Sequence, residues 1–132
     1  MYEILPHTAD VRVRIECADL EELFEDAGRA LVELSDVTTR PDTIHRRELA
    51  VESVDLASLL VDVLNELLAV LHVDHLAFER FESMAIETTS FRARVLFREA
   101  TSWSEDVKAV TYHEAHVTRD GESWGAGIVL DI

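Results

Sequence analysis

Hydrophobic and polar residues alternate near the start of the chain in the pattern of a β-strand. Val11, Val13 and Ile15 are separated by charged residues, so one face of this strand would be buried and the other wet. Patterns typical of strands recur at residues 44–52, 77–87, 91–100, 108–118 and 124–132. The Asp120-Gly121 step between the last two is a strong hairpin signal. The sequence therefore predicts about six strands.

Two other stretches carry apolar residues at helical spacing. The first follows Asp19, which together with Glu22 forms a capping-box-like start, and it runs to about Leu34. The second follows Asp55 and carries a wide stripe of leucines and valines over residues 56–71. A loop is expected at residues 35–43, where periodicity is lost. An apolar stripe as wide as that of the second helix must pack against a sheet.

The order of elements is strand, helix, strand, helix and four strands, which predicts an α+β fold. We expect a two-layer sandwich in which two helices pack on one face of a mixed, largely antiparallel sheet. A hydrophobic content of 48% is enough for one core, so residues 1–132 should form a single domain. Five arginines would then lie on the open face, either paired with Glu3, Glu16 or Glu87 or forming a docking surface. They are Arg12, Arg14, Arg92, Arg94 and Arg98.

The net charge of −15, from 27 acidic and 12 basic residues, restricts the partners of this protein. It repels phosphate backbones and anionic lipids, so we expect neither autonomous nucleic-acid binding nor membrane association. The sequence shows neither a secretory signal pattern nor a long uninterrupted apolar run, so a cytoplasmic location is expected. Cys17 cannot form an internal disulfide and should be buried.

Lys108 is the only lysine of the sequence. An ammonium group is a compact point charge whose pKa shifts readily, and a guanidinium cannot replace it in that role. The lysine is therefore either kept for a function or left by chance in an arginine-biased sequence. Familiar enzyme motifs, such as a phosphate-binding glycine loop or a zinc-binding His-Glu-x-x-His, are absent from the sequence.

Polar residues at strand ends and turns are the remaining candidates for chemistry. If these ends meet in a small sheet, Asp10, Asp131 and the terminal carboxylate of Ile132 supply oxygen ligands that suit Mg²⁺, Mn²⁺ or Ca²⁺ better than zinc. Lys108 would offset the repulsion between the carboxylates. His7 and His113 are weaker candidates, for proton transfer or for contacts around the metal ligands. Taken singly, each Asp or His is better explained as a turn cap or a satisfied polar residue.

Five sequence blocks resemble the archease family, in the family's order and over essentially the whole chain. They are HTADV at residues 7–11, DLEELF at 19–24, LLVDVLNELL at 59–68, VKAVTYH at 107–113 and LDI at 130–132. The connection at residues 99–106 departs from the family pattern, because it is shorter and lacks the usual Gly-Glu and the following His.

The resemblance implies an accessory protein and not an enzyme. Archeases promote the guanylylation and multiple turnover of the GTP-dependent tRNA-splicing RNA ligase, and an effect on its nucleotide specificity is also expected. By this resemblance Asp10, Asp131 and Ile132 match metal-binding positions, with Ca²⁺ as the expected ion, and Lys108 matches a lysine important for activation. The alternatives are a general chaperone or modulator of RNA- or DNA-modifying enzymes such as methyltransferases and, less favoured, a metal-dependent phosphoester hydrolase.

The acidic excess also predicts a halophilic source, with salt-dependent stability. At about 1 M salt the Debye length falls to about 3 Å, so repulsion among carboxylates becomes tolerable. We expect the purified protein to unfold or to associate when salt is removed, as measured by circular dichroism and light scattering. A protein that stays folded and monodisperse without added salt would contradict the halophilic hypothesis.

Overall fold

The helices and strands begin and end close to the predicted positions. The computed structural model describes residues 1–6 and 10–132, and within these residues the chain forms two helices and eight strands. In chain order they are β1 (Tyr2–Pro6), β2 (Asp10–Cys17), α1 (Leu20–Leu34), β3 (Thr38–Thr39), β4 (His45–Glu52), α2 (Leu56–Asp74), β5 (Leu76–Ile86), β6 (Ser90–Ser102), β7 (Ala109–Asp120) and β8 (Ser123–Asp131). The α+β class with two helices is confirmed.

The strands form two antiparallel sheets where the sequence suggested one sheet of about six strands. Sheet one has the order β1-β2-β8-β7. In sheet two β6 is central, because β4 and β5 pair with the same residues of β6 from opposite edges, and β3 extends the β4 side. Alternation could not reveal β3, which has two residues, and β1 is a short strand that ends in a proline. The described residues therefore form eight strands in two sheets, where the sequence predicted about six strands in one sheet.

Both helices begin at the caps that the sequence predicts. The Asp19 carboxylate accepts a hydrogen bond from the Glu22 N–H at 2.8 Å, and the Asp55 carboxylate accepts one from the Ser58 N–H at 2.7 Å. The backbone bond from Ser58 favours the charged carboxylate, so it lowers the pKa of Asp55. Short polar side chains thus fix where each helix starts.

Helices α1 and α2 contact both sheets and share one core with them. Phe24 of α1 stacks on Phe91 of β6 with ring centroids 5.3 Å apart, and Phe81 of β5 packs edge-on against the same Phe91 ring. Helix α2 has the length and apolar composition of a membrane span, as apolar core helices also do. Here eight of its side chains are buried in the protein core.

The prediction that five arginines share one open face is wrong, because they lie on two different sheets. Arg12 and Arg14 are on β2 of sheet one, whereas the other three are on β6 of sheet two. Four of the five contact carboxylates, which favours pairing, but of the predicted partners Glu3, Glu16 and Glu87 only Glu3 is among these carboxylates. The pairs are Arg12 with Glu114, Arg14 with Glu3 at 3.9 Å, Arg94 with Glu48 at 3.1 Å and Arg98 with Glu79 at 3.4 Å.

We predict that Gly28→Ala destabilises the protein, although alanine favours helices. An ideal Cβ at this α1 position would lie 2.6 Å from the Cε2 atom of Phe78, a ring that is itself buried. Overpacking costs about 1–3 kcal/mol, which exceeds the gain of about 1 kcal/mol in helix propensity. Chemical denaturation should show the loss, with the exposed neighbour substitution Arg29→Ala as control. Equal unfolding free energies for wild type and Gly28→Ala would show that Phe78 moves aside without cost.

Candidate functional site

Three adjacent strands of sheet one bring together the ends that carry the predicted site residues. Asp10 begins β2 and lies opposite Asp131, which ends β8. On the other side of β8, Ala109 of β7 also lies opposite Asp131. Residues paired in this way have Cα atoms about 4.5–5.5 Å apart. Positions separated by more than a hundred residues in the chain therefore meet at one end of the sheet.

Lys108 is joined to the same strand end by its backbone. Its N–H donates a hydrogen bond to the carbonyl oxygen of Asp131 at 2.8 Å, and its side chain is exposed. Ile132 follows Asp131 directly, with a side chain that is 44% exposed. Lys108, Asp131, Ile132 and Asp10 thus form one group of neighbours, which we call the strand-end site.

The two aspartates of the strand-end site project from the outer face of sheet one. Leu130 is buried on the core side, so the next residue, Asp131, points away from the core. Directly opposite residues of an antiparallel pair share a face, which places the Asp10 side chain beside that of Asp131. Two carboxylates on one face match the oxygen donors that Ca²⁺ and Mg²⁺ prefer, and the predicted terminal carboxylate of Ile132 would add a third. These residues fit a divalent cation, and their role as its ligands stays a prediction.

The two histidine candidates fare differently. His7 lies outside the described residues. His113 lies on an exposed segment of β7, where its Nε2 atom is 3.7 Å from a carboxylate oxygen of Glu114. Its side chain is 74% exposed, and a proton-transfer role for His113 remains a prediction.

A wide bulge interrupts β7 just beyond the strand-end site. Thr111 pairs with Val129 and His116 with Gly127, so residues 112–115 lie opposite Ile128 alone. Glu114 adopts a left-handed conformation with φ of 57° and forms an ion pair with Arg12 of β2.

The other end of this bulge is tied to a helix. The Tyr112 hydroxyl donates a hydrogen bond to the carboxylate of Asp62 in α2, and this bond raises the pKa of Tyr112. The bulge, residues 112–115, is therefore held between α2 on one side and β2 on the other.

A second cluster of potential metal ligands lies away from the strand-end site. One ligand atom from each of Cys17, Glu22 and Asp26 lies within 4.8 Å of the others. Burial, and then the hydrogen bond to Asp26, raises the pKa of Cys17 to about 11, so the thiol stays protonated and is a poor ligand. The Met1 ammonium also contacts Asp26. These groups already satisfy one another, and Cys17 is buried as expected.

Comparisons with known proteins identify the family of this chain. A sequence model of the Archease protein family matches residues 2–132. The chain belongs to the archease family. Protein archease of Pyrococcus abyssi is 36% identical over 141 residues, covering 99% of this chain and 98% of the relative. Protein archease of Methanosarcina barkeri is 34% identical over 139 residues, covering 99% of this chain and 95% of the relative.

Solved structures share the archease fold. The solution structure of protein 1598 from Methanobacterium thermoautotrophicum has a TM-score of 0.73 and 26% identity, covering 99% of this chain and 98% of that protein. A crystal structure from Thermotoga maritima, described as an archease and possible chaperone, has a TM-score of 0.72 and 24% identity. It covers 100% of this chain and 98% of that one.

Asn65 is a site-supporting residue of this archease domain that sequence reasoning missed. Its side-chain amide donates to the carbonyl of Val110 at 2.9 Å, and its carbonyl accepts from the Val110 N–H at 2.8 Å. Strand β7 is the last strand of sheet one, so Asn65 takes the place of a further strand at this position. Since Val110 follows Lys108 by two residues, α2 fixes the backbone next to the lysine. The available signal was one polar amide within the apolar stripe of α2.

The connection at residues 99–106, which departs from the archease pattern, is partly strand and is packed at its end. Strand β6 extends to Ser102, and the Trp103 ring lies against His75 with centroids 4.6 Å apart. The Ser104 N–H donates to the carbonyl of Ser35 at 2.8 Å. The shorter connection is thus anchored to both helix ends.

We predict that Asn65→Ala loosens the start of β7. Removing both partners of Val110 should lower the free energy of unfolding by about 1–3 kcal/mol, because half-buried backbone groups lose their hydrogen bonds. Amide hydrogen exchange should then accelerate at Val110 and Lys108. Glu25→Ala is the matched control, since Glu25 of α1 likewise accepts from the backbone of a strand, at Phe81, with distances of 3.1 and 3.2 Å. Unchanged exchange at Val110 in Asn65→Ala would contradict the supporting role.

Proposed function

We propose that this protein activates the GTP-dependent tRNA-splicing RNA ligase by promoting its guanylylation and turnover. The observation that supports the proposal most directly is the strand-end site in a member of the archease family. By the family resemblance Asp10, Asp131 and Lys108 match functional residues, and they are neighbours at one end of sheet one. Residues so far apart in the sequence need not be neighbours in the fold.

A divalent cation belongs to this proposal. Asp10, Asp131 and the terminal carboxylate of Ile132 would hold it, and Ca²⁺ is the ion we expect, with Mg²⁺ or Mn²⁺ as chemical alternatives. When bound, the cation supplies concentrated positive charge at an exposed edge of an acidic protein. The carboxylates neutralise part of that charge and fix its place relative to Lys108.

In this proposal Lys108 is the side chain of this protein that takes part in the reaction of the ligase. Its exposed ammonium can enter the ligase active site and offset charge on the nucleotide phosphates, since phosphoryl and nucleotidyl transfers depend mainly on positioning and electrostatic stabilisation. Its backbone is held on one side by Asp131, and Asn65 holds the nearby Val110. A fixed backbone lowers the entropy lost when the side chain is ordered in a complex.

In this proposal the protein acts on a partner and has no reaction of its own. The net charge of −15 favours association with the basic surface that an RNA-binding ligase presents, and it disfavours direct binding to RNA. We place this activity in the cytoplasm.

The alternative function is that of a chaperone or modulator of several nucleic-acid-modifying enzymes. Affinity purification from the source organism separates the two. Recovery of the ligase as the main partner supports activation, whereas recovery of assorted methyltransferases, with suppression of their aggregation, supports the chaperone function.

We predict that Lys108→Ala and Asp10→Ala fold normally but lose stimulation of ligase guanylylation. Removing one group that stabilises charge in a transition state typically lowers a rate by about 10²-fold or more. The assay measures transfer of labelled GMP to the ligase, with Arg40→Ala and Asp42→Ala as exposed, charge-matched controls. Full stimulation by folded Lys108→Ala and Asp10→Ala proteins would rule out the proposed mechanism.

A separate measurement tests the metal. Calcium should raise the melting temperature of the wild-type protein, because a ligand that binds only the folded state stabilises it. Asp131→Asn should abolish this increase while Asp42→Asn keeps it. An equal increase in both variants would place the cation elsewhere.

A further inference from the structure

The outer face of sheet one carries an open trough over β8. The buried residues Ala126, Ile128 and Leu130 alternate with residues that face away from the core. Two of the latter are Gly125 and Gly127, which have no side chains. They leave a depression that encloses about 300 Å³.

Charged and polar side chains form the two rims of the trough. Arg12 and Arg14 of β2 lie on one side, and Glu114 and His116 of β7 lie on the other. The His116 ring lies against the floor, since an ideal Cβ at Gly127 would be 2.4 Å from its Cε1 atom. At Gly125 the floor is open, because a Cβ there would be 3.8 Å from its nearest neighbours.

The rim on the β7 side belongs to the bulge. Glu114 is held in the left-handed region, which is uncommon for a residue with a side chain, and its ion pair with Arg12 spans β8 from one rim to the other. Without the bulge, β7 would not place Glu114 for an ion pair across β8, and the depression would have a different shape. The bulge therefore shapes the trough.

The trough and the strand-end site lie on the same face of sheet one, with the buried Val129 and the Arg12–Glu114 ion pair between them. Gly127, Val129 and Asp131 are alternate residues of β8 and share its outer face. Gly125 and Asp131 are six residues apart, which spans about 20 Å in an antiparallel strand. A segment that binds over Gly125 and passes across the Arg12–Glu114 ion pair would therefore reach Asp10, Asp131 and Lys108.

We propose that this trough binds an extended polypeptide segment of the protein partner, with a carboxylate side chain that pairs with Arg14. The inference rests on the proposed function and identifies the surface used for docking. Arg14 is 58% exposed, and its contact with Glu3 is long at 3.9 Å, so a carboxylate of the partner can replace it.

Charge decides between a peptide and an RNA strand as the occupant. Glu16 and Glu114 line the trough together with the arginines, and the protein is strongly acidic overall. An RNA strand places a negative charge at every nucleotide and would be repelled by these carboxylates. A peptide can present charges of both signs to Arg14 and Glu16, and Gly125 leaves room for its backbone.

Filling the trough without straining the fold tests the proposal. Gly125→Val adds a side chain where space is available, and valine favours strands, so stability should be unchanged or higher. We expect the concentration that gives half-maximal stimulation of ligase guanylylation to rise about tenfold or more, since the added side chain blocks the centre of the interface. Maximal stimulation should be retained, because the strand-end site is unchanged. The control is Ala50→Val, at an exposed position of β4 in sheet two.

A second pair of variants tests the charge. Arg14→Glu should weaken binding to the ligase, measured by calorimetry, and Arg14→Lys should largely retain it. Binding of a single-stranded RNA with a 3′-phosphate by the protein alone, if weakened by Gly125→Val, would overturn the peptide in favour of RNA. Equal half-maximal concentrations for wild type and Gly125→Val would also overturn the proposal while leaving ligase activation intact. If the wild-type protein neither binds nor stimulates the ligase, the proposed function fails and the docking surface fails with it.

Discussion

The pairing of β8 with two neighbours is the constraint on which the rest of the structure depends. Strand β8 lies between β2 and β7, and its register sets Asp131 opposite Asp10 on one side and Ala109 on the other. A shift of one residue would turn Asp131 towards the core and bring Leu130 to the surface. The buried side chains of Ala126, Ile128 and Leu130 prevent that shift. Core packing therefore positions the strand-end site, although no site residue is itself part of the core.

Much of the fold could be predicted because its signals are local. Asp19 and Asp55 are short polar side chains directly before apolar stripes, and both cap helices as expected. Alternation along residues 11–15 and the Asp120-Gly121 turn likewise locate strands from neighbouring residues alone. Asp10, Asp131 and Lys108 become neighbours through contacts between residues far apart in the chain. The sequence predicted a shared site for them only if these strand ends meet in the sheet.

The remaining features depend on contacts that the sequence does not encode locally. Strand β3 has only two residues and is a strand because it pairs with β6. The division into two sheets depends on which strands pair with β6, and no local pattern reveals that pairing. The bulge at residues 112–115 interrupts an ordinary strand pattern. It is held by long-range contacts, the ion pair of Glu114 with Arg12 and the hydrogen bond of Tyr112 with Asp62. Asn65 gives one weak local signal, and its partner Val110 lies 45 residues away.

The distribution of charge connects the two surfaces of sheet one. In a protein with a net charge of −15, two carboxylates lie together at the strand end, where they suit a cation, and the only lysine lies beside them. Further along the same face, two arginines and two glutamates line the trough, and its floor is open at Gly125. Long-range attraction to a basic partner would be unselective by itself, whereas charges of both signs at fixed places in the trough would favour some registers of a bound segment over others. In the proposed complex, the acidic surface would bring the partner near, and the trough would set the orientation of Lys108 towards it.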